Sequence, residues 1–187
     1  MMLKKVIFAT LIASVSGSCL ANWVGDVSYL SLSDSNRVIN VHSHKNDVTL
    51  GVLALSAGYE IPLAENFSIT PEAQYGFGIK DDTLNIDDNG ATDNVTVDVD
   101  KYYGFNLRAQ YNFTPQFYAY VQPQYTKIKV EAKHKSSGAK DYGSETKFGY
   151  GGGVGYQITP QLGANLGFVR FNSLDVDGWQ LGMRYKF

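Results

Sequence analysis

The sequence predicts an all-β protein, an eight-stranded antiparallel up-and-down transmembrane β-barrel, and three observations predict it. Apolar and polar residues alternate with period two through most of the chain beyond residue 21, aromatic residues recur at both ends of the apolar faces, and tight connections alternate with long ones. Composition agrees, with 44% apolar, 13% aromatic and only 18% charged residues beside 19 Gly. A formal net charge of -2 offers no basic excess for nucleic acid. No apolar run in the body of the chain approaches the ~20 residues of a membrane helix.

The first segment, residues 1–21, reads as a cleaved signal peptide, leaving residues 22–187 as the barrel. Lys4 and Lys5 precede an apolar stretch from Val6 to Val15, and small residues lead to Ser18-Cys19-Leu20-Ala21, a cleavage site after Ala21. It is too short for a membrane anchor and lacks helical periodicity. Lipidation at Cys19 is disfavoured because Ser16 stands where a lipoprotein signal usually has Leu. Cys19 is the single cysteine, so the mature chain has neither disulfide nor thiol chemistry.

Four strands are plain. From Phe67 to Lys80 the odd positions are Phe67, Ile69, Pro71, Ala73, Tyr75, Phe77 and Ile79, and the even ones are polar or Gly. Tyr103 to Phe113, Phe148 to Ile158 and Trp179 to Phe187 repeat that split. Trp23 to Leu32, Val48 to Ile61, Phe117 to Thr126 and Leu162 to Phe171 complete the set, the last losing register near Val169-Arg170, where a bulge is expected. Tight turns at Pro62 to Asn66, Thr114 to Gln116 and Thr159 to Gln161 alternate with long polar loops at Ser33 to Asp47, Asp81 to Val95, Lys127 to Glu145 and Asn172 to Gly178. The turn segment from Tyr111 to Phe117 is repeated from Tyr156 to Leu162, each with Thr-Pro-Gln after an aromatic and a hydrophobe.

Alternation alone fits a soluble sandwich or a lipocalin-like barrel as well. The polar face, however, is Gly, Asn and Gln with isolated charges, which suits a crowded interior rather than a watered surface. Phe67 and Phe77 are far enough apart to stand ~25 Å apart along a membrane normal, the height of a barrel's apolar band. Inward parity falls on Asp26, Glu60, Glu72, Arg108, Arg184 and Lys186, charges of both signs that must pair in a tight lumen. A neutral, plugged polar network is expected there.

These residues resemble the small eight-stranded outer-membrane barrels of the OmpA transmembrane-domain and OmpX/Ail type, over Asn22 to Phe187. The aromatic-terminated ending, Tyr185-Lys186-Phe187, looks like the C-terminal assembly signal read by the barrel assembly machinery. The resemblance implies a bacterial outer-membrane location. Its implied partners are membrane lipid and lipopolysaccharide, the assembly machinery, periplasmic chaperones, and host or environmental surface ligands. A monomer without cofactor, metal or catalytic residue is expected.

Two loops carry dense charge. The acidic one holds Asp81, Asp82, Asp87, Asp88 and Asp93, with Asp98 and Asp100 beyond it. Its spacing does not follow the EF-hand pattern, so it reads as a solvated loop, with Thr83 to Ile86 and Val95 to Asp98 continuing a hairpin above the membrane around Asn89-Gly90. The basic loop holds Lys127, Lys129, Lys133, Lys135 and Lys140, suited to lipid phosphates or host polyanions. His42 and His44 lack an evident third metal ligand, and His42-Ser43-His44 lacks the His-x-Ser order of the outer-membrane deacylases. The functional expectation is surface interaction, adhesion or envelope integrity carried by the loops, the alternative a narrow pore for small solutes.

Overall fold

The computed structural model describes residues 22–34, 48–88, 91–134, 140–172 and 176–187. The expected signal peptide, His42, His44, Asn89-Gly90 and Lys135 lie outside the described residues. Ten segments follow in chain order: β1 (Trp23–Asp34), β2 (Val48–Tyr59), β3 (Ile61–Ala64), β4 (Phe67–Lys80), β5 (Asp82–Asp88), β6 (Ala91–Asn112), β7 (Phe117–His134), β8 (Lys140–Gln157), β9 (Leu162–Phe171) and β10 (Val176–Lys186). They make eight barrel strands. β3 continues β2 past Glu60 along the same edge of β4, and β5 continues β4 past Asp81 along β6.

Each strand pairs antiparallel with its neighbours, and β1 pairs β10 from Val24↔Lys186 to Asp34↔Val176. That last ladder closes the cylinder, which hydrocarbon requires because an open edge would expose unpaired N–H and C=O groups. Side chains alternate across the wall. Phe105, Leu107, Val121, Val154, Leu166 and Leu181 face outward, while Asn106, Arg108, Gln122, Gln124, Asn165 and Arg184 are buried inside.

Rings cluster near the tight turns, where Trp23 packs edge-on against Tyr59, Tyr111 against Phe113, Phe117 against Tyr156, and Tyr185 against Phe187. The repeated Thr-Pro-Gln segment folds the same way twice. Thr114 Oγ1 accepts from the N–H groups of Gln116 (3.2 Å) and Phe117 (2.9 Å), and Thr159 Oγ1 from those of Gln161 (3.3 Å) and Leu162 (3.0 Å). Proline suits the intervening position, where no donor is needed.

Two sequence expectations are corrected. β9 pairs with both neighbours without interruption through Val169 and Arg170, so no bulge lies there. The register shifts instead between Gly51 and Val52 of β2 and between Val99 and Lys101 of β6. The apparent slip in β9 arises because Val169 and Phe171 point inward while Arg170 points out and pairs with Asp177 at 2.8 Å. Second, much of the stretches read as long loops is strand. The β7–β8 ladder runs unbroken from Phe117↔Tyr156 to Lys133↔Lys140. The β5–β6 pairing from Asp82↔Val97 to Asp88↔Ala91 contains the hairpin expected of Thr83 to Ile86 with Val95 to Asp98. The molecule thus has a turn end, carrying both barrel termini, and a ribbon end.

Leu107 faces outward on β6, between the outward aromatics Phe105 and Tyr111. Leu107→Arg should cost ~2–4 kcal/mol at the hydrocarbon midplane and remove most heat-modifiable barrel from the membrane fraction, whereas Leu107→Phe should leave it unchanged.

Candidate functional site: the lumen and the ribbon end

Strand parity brings four of the six charged residues anticipated for the interior into one buried layer. Asp26 of β1 is the register partner of Arg184 of β10, and Thr70 and Glu72 of β4 are those of Arg108 and Asn106 of β6. Arg184 Nη1 stands 2.6 Å from Glu72 Oε1, and Asn106 Nδ2 donates to Glu72 Oε2 at 2.9 Å. Asp26 Oδ2 accepts from Asn165 Nδ2 at 3.1 Å. The Arg108 guanidinium lies over the Tyr120 ring, 3.6 Å from its centroid. It is 1% exposed, and its Nε and Nη2 have no acceptor among the described residues. The face of the Tyr120 ring is an attractive surface for that cation. Two anions and two cations leave the layer neutral. Glu60 and Lys186 pair separately at the turn end, 2.9 Å apart and partly exposed.

The tyrosines inside this layer carry no sequence label that sets them apart from the outward aromatics. Tyr118 and Tyr120 of β7 are both 3% exposed, donating to Ala164 O and Asn165 Oδ1. Glycines on β8 and on β9 beyond it make room for them: a Cβ at Gly155 would overlap the Tyr118 ring, and one at Gly167 the Tyr120 hydroxyl. Their inward parity, shared with Gln122 and Gln124 on the same strand, was the available signal.

Nearer the ribbon end the interior turns apolar, which corrects the expectation of a polar lumen from end to end. Leu30 and Leu32 of β1 join Val52 and Ala54 of β2, Val99 and Tyr102 of β6, Ile128 of β7, and Val169 and Phe171 of β9 in one buried cluster. β4 and β8 supply glycines at this level: a Cβ at Gly149 would stand 2.8 Å from Phe171 Cδ1, and one at Gly76 3.1 Å from Val52 Cγ1. Side chains from most of the wall therefore meet across the lumen. At the opposite end a cavity of about 740 Å³ opens between the two Thr-Pro-Gln turns, lined by Gln110, Asn112, Tyr118, Gln157 and Lys186.

The charged loop residues are carried on the ribbons. Lys127 and Lys129 lie on β7, Lys133 and Lys140 form the last β7–β8 pair, Asp82, Asp87 and Asp88 lie on β5, and Asp93 lies on β6. Asp81 is exposed at the junction of β4 and β5.

The family model described as the outer membrane protein beta-barrel domain matches residues 9–187. The chain belongs to that family. It is a bacterial outer-membrane protein, and the closed cylinder is the family's barrel. No curated protein matches the chain. Among solved structures it is similar to Ail, the attachment invasion locus protein of Yersinia pestis, with a TM-score of 0.57 and 14% identity over 89% of this chain and 99% of that one. Ail in complex with the heparin analogue sucrose octasulfate gives a TM-score of 0.58 at 14% identity, over 89% and 98% of the two chains. Neisserial surface protein A gives 0.54 at 16% identity, over 88% and 97%. At these identities the likeness is one of fold.

Within this outer-membrane barrel the Glu72–Arg184 pair is the deepest ion pair among the described residues. Glu72→Gln should lower unfolding free energy by ~3–5 kcal/mol, because Arg184 is left buried without its counterion. The double variant Glu72→Leu/Arg184→Met should recover most of that in urea unfolding from lipid vesicles. Equal losses for the single and double variants would show that the pair is not coupled.

Proposed function

We propose that this protein is a monomeric, non-conducting surface barrel whose ribbon end faces outward from the cell and makes polyanion contacts, in adhesion or in envelope integrity. The observation that carries this reading is the uninterrupted β7–β8 ladder, which lifts Lys133 and Lys140 several residue pairs beyond the outward aromatic pair Tyr125↔Phe148. A paired ribbon holds its charges in a defined array, as a floppy loop does not. The Ail complex with a sulfated heparin analogue supports polyanions as the ligand class.

The same reading has the chain exported by residues 1–21, cut after Ala21, and escorted by periplasmic chaperones. Tyr185 and Phe187 then present the C-terminal signal to the assembly machinery, with Phe187 N–H bonded to Trp23 O across the closing seam. No cofactor or catalytic residue enters it. The acidic ribbon with Asp82, Asp87, Asp88 and Asp93 serves solubility.

The pore reading loses because an eight-stranded lumen is just wide enough for its own side chains. The apolar cluster from Leu30 to Phe171 in the ribbon half supports a closed lumen over a pore.

Two measurements test this. The purified barrel should be silent in a planar bilayer, and steady resolved openings would restore the pore. Deleting 133–140 should weaken binding to immobilised heparin about tenfold or more, since each lysine near a polyanion contributes on the order of 1 kcal/mol; unchanged binding would sink the polyanion reading.

A further inference from the structure

We propose that the cavity at the turn end binds a neutral glycan, a sugar chain end bearing hydroxyl and acetamido groups on the inner side of the outer membrane. The Thr-Pro-Gln repeat frames this cavity, since Thr114, Pro115 and Gln116 of one copy and Thr159 and Pro160 of the other line it. Its volume of about 740 Å³ lies within the ~300–1,000 Å³ of small-molecule sites.

The lining is graded with depth. Tyr118 and Gln110 form the floor, 3% and 5% exposed, Asn112 and Gln157 stand half-buried above them, and Asn66 and Gln116 are exposed at the rim. All but Tyr118 carry a side-chain amide, which offers two donors and an acceptor. Gln110 Nε2 donates to Asn112 Oδ1 at 3.0 Å and Gln157 Nε2 to Pro160 O at 3.4 Å, bonds that fix the orientation of these amides. Gly163 keeps the floor open, since a Cβ there would stand 3.0 Å from Gln157 Oε1 and 3.3 Å from the Tyr118 hydroxyl oxygen.

The lining selects against other ligand classes. Lys186, the cation of the lining, is engaged by Glu60 Oε2 at 2.9 Å, and Glu65 adds a carboxylate at the rim, so an anion gains little here. An apolar ligand would strip water from the amides and leave them unpaired. A peptide that adds as a strand needs a free backbone edge, yet each turn gives a carbonyl to the next strand. Asn66 O accepts from Asn112 N–H at 2.8 Å, Gln116 O from Gln157 N–H at 2.7 Å and Gln161 O from Lys186 N–H at 2.7 Å. Sugar hydroxyls both donate and accept, and an acetamido group matches a side-chain amide, so a neutral glycan satisfies these residues without a charge. The same backbone bonds hold the rim in place before a ligand arrives, which lowers the ordering cost of binding.

The inner-side source rests on the outward orientation of the ribbon end, whereas the site itself does not. The test uses the mature barrel in phosphatidylcholine nanodiscs with tri-N-acetylchitotriose as probe, followed by NMR of the side-chain amides. Saturable shifts should appear at Gln110, Asn112 and Gln157, with a weaker response to maltotriose, which lacks acetamido groups, and none to triglycine or inorganic phosphate. Asn112→Ala/Gln157→Ala should weaken chitotriose binding about tenfold while keeping heat-modifiable migration. Should that variant fail to fold, Gln116→Ala at the exposed rim should still weaken binding about threefold. Absence of saturable shifts, unchanged binding in the folded variant, no preference over maltotriose, or a stronger response to triglycine or phosphate overturns the proposal. In cells, Gln116→Cys should react with a membrane-impermeant maleimide only after the outer membrane is permeabilised. Labelling of intact cells overturns the inner-side source together with the ribbon orientation, whereas lost glycan binding with labelling confined to permeabilised cells overturns the site alone.

Discussion

Backbone hydrogen bonding in a medium without water is the constraint on which the rest of this structure depends. Each strand that enters hydrocarbon must find partners on both sides, and the ladder between β1 and β10 supplies the last set. Closure then dictates the other features. It turns one parity outward to lipid and the other into a lumen, places both barrel termini at one end, and leaves only turns and ribbons free to vary.

An eight-stranded cylinder also leaves little interior, and this chain fills it in two ways. Near the turns the filling is polar: Glu72 is paired with Arg184 and bonded by Asn106, Asp26 is bonded by Asn165, and Arg108 lies over the face of Tyr120. Near the ribbons it is apolar, from Leu30 and Val52 to Phe171. The glycines of β4 and β8 belong to the same solution, since large side chains on facing strands need walls without Cβ atoms. Charge is thus confined to a depth where counter-charges are available, and the other half needs no pairing at all.

The proposed function sits at the ribbon end, away from the buried side chains of the interior. Ladders that run past the aromatic edge make the ribbons continuous with the barrel wall.

Period-two alternation and the spacing of aromatics were enough to read the cylinder, its eight strands and the inward parity of Asp26, Glu72, Arg108 and Arg184, because local parity decides which face a side chain takes. The Thr-Pro-Gln repeat was legible too, as each threonine caps its own turn locally. Alternation is silent on what faces what across the lumen. The partner of Glu72 lies more than a hundred residues away on β10, and the apolar cluster that joins Val52 of β2, Val99 of β6 and Phe171 of β9 forms only when the sheet curls shut. The run Val169-Arg170-Phe171 reads as a slipped strand until Asp177 and the apolar cluster are in place on either side of the wall. Tertiary closure alone decided those pairings, because distances across a barrel depend on register and curvature summed around the whole circumference.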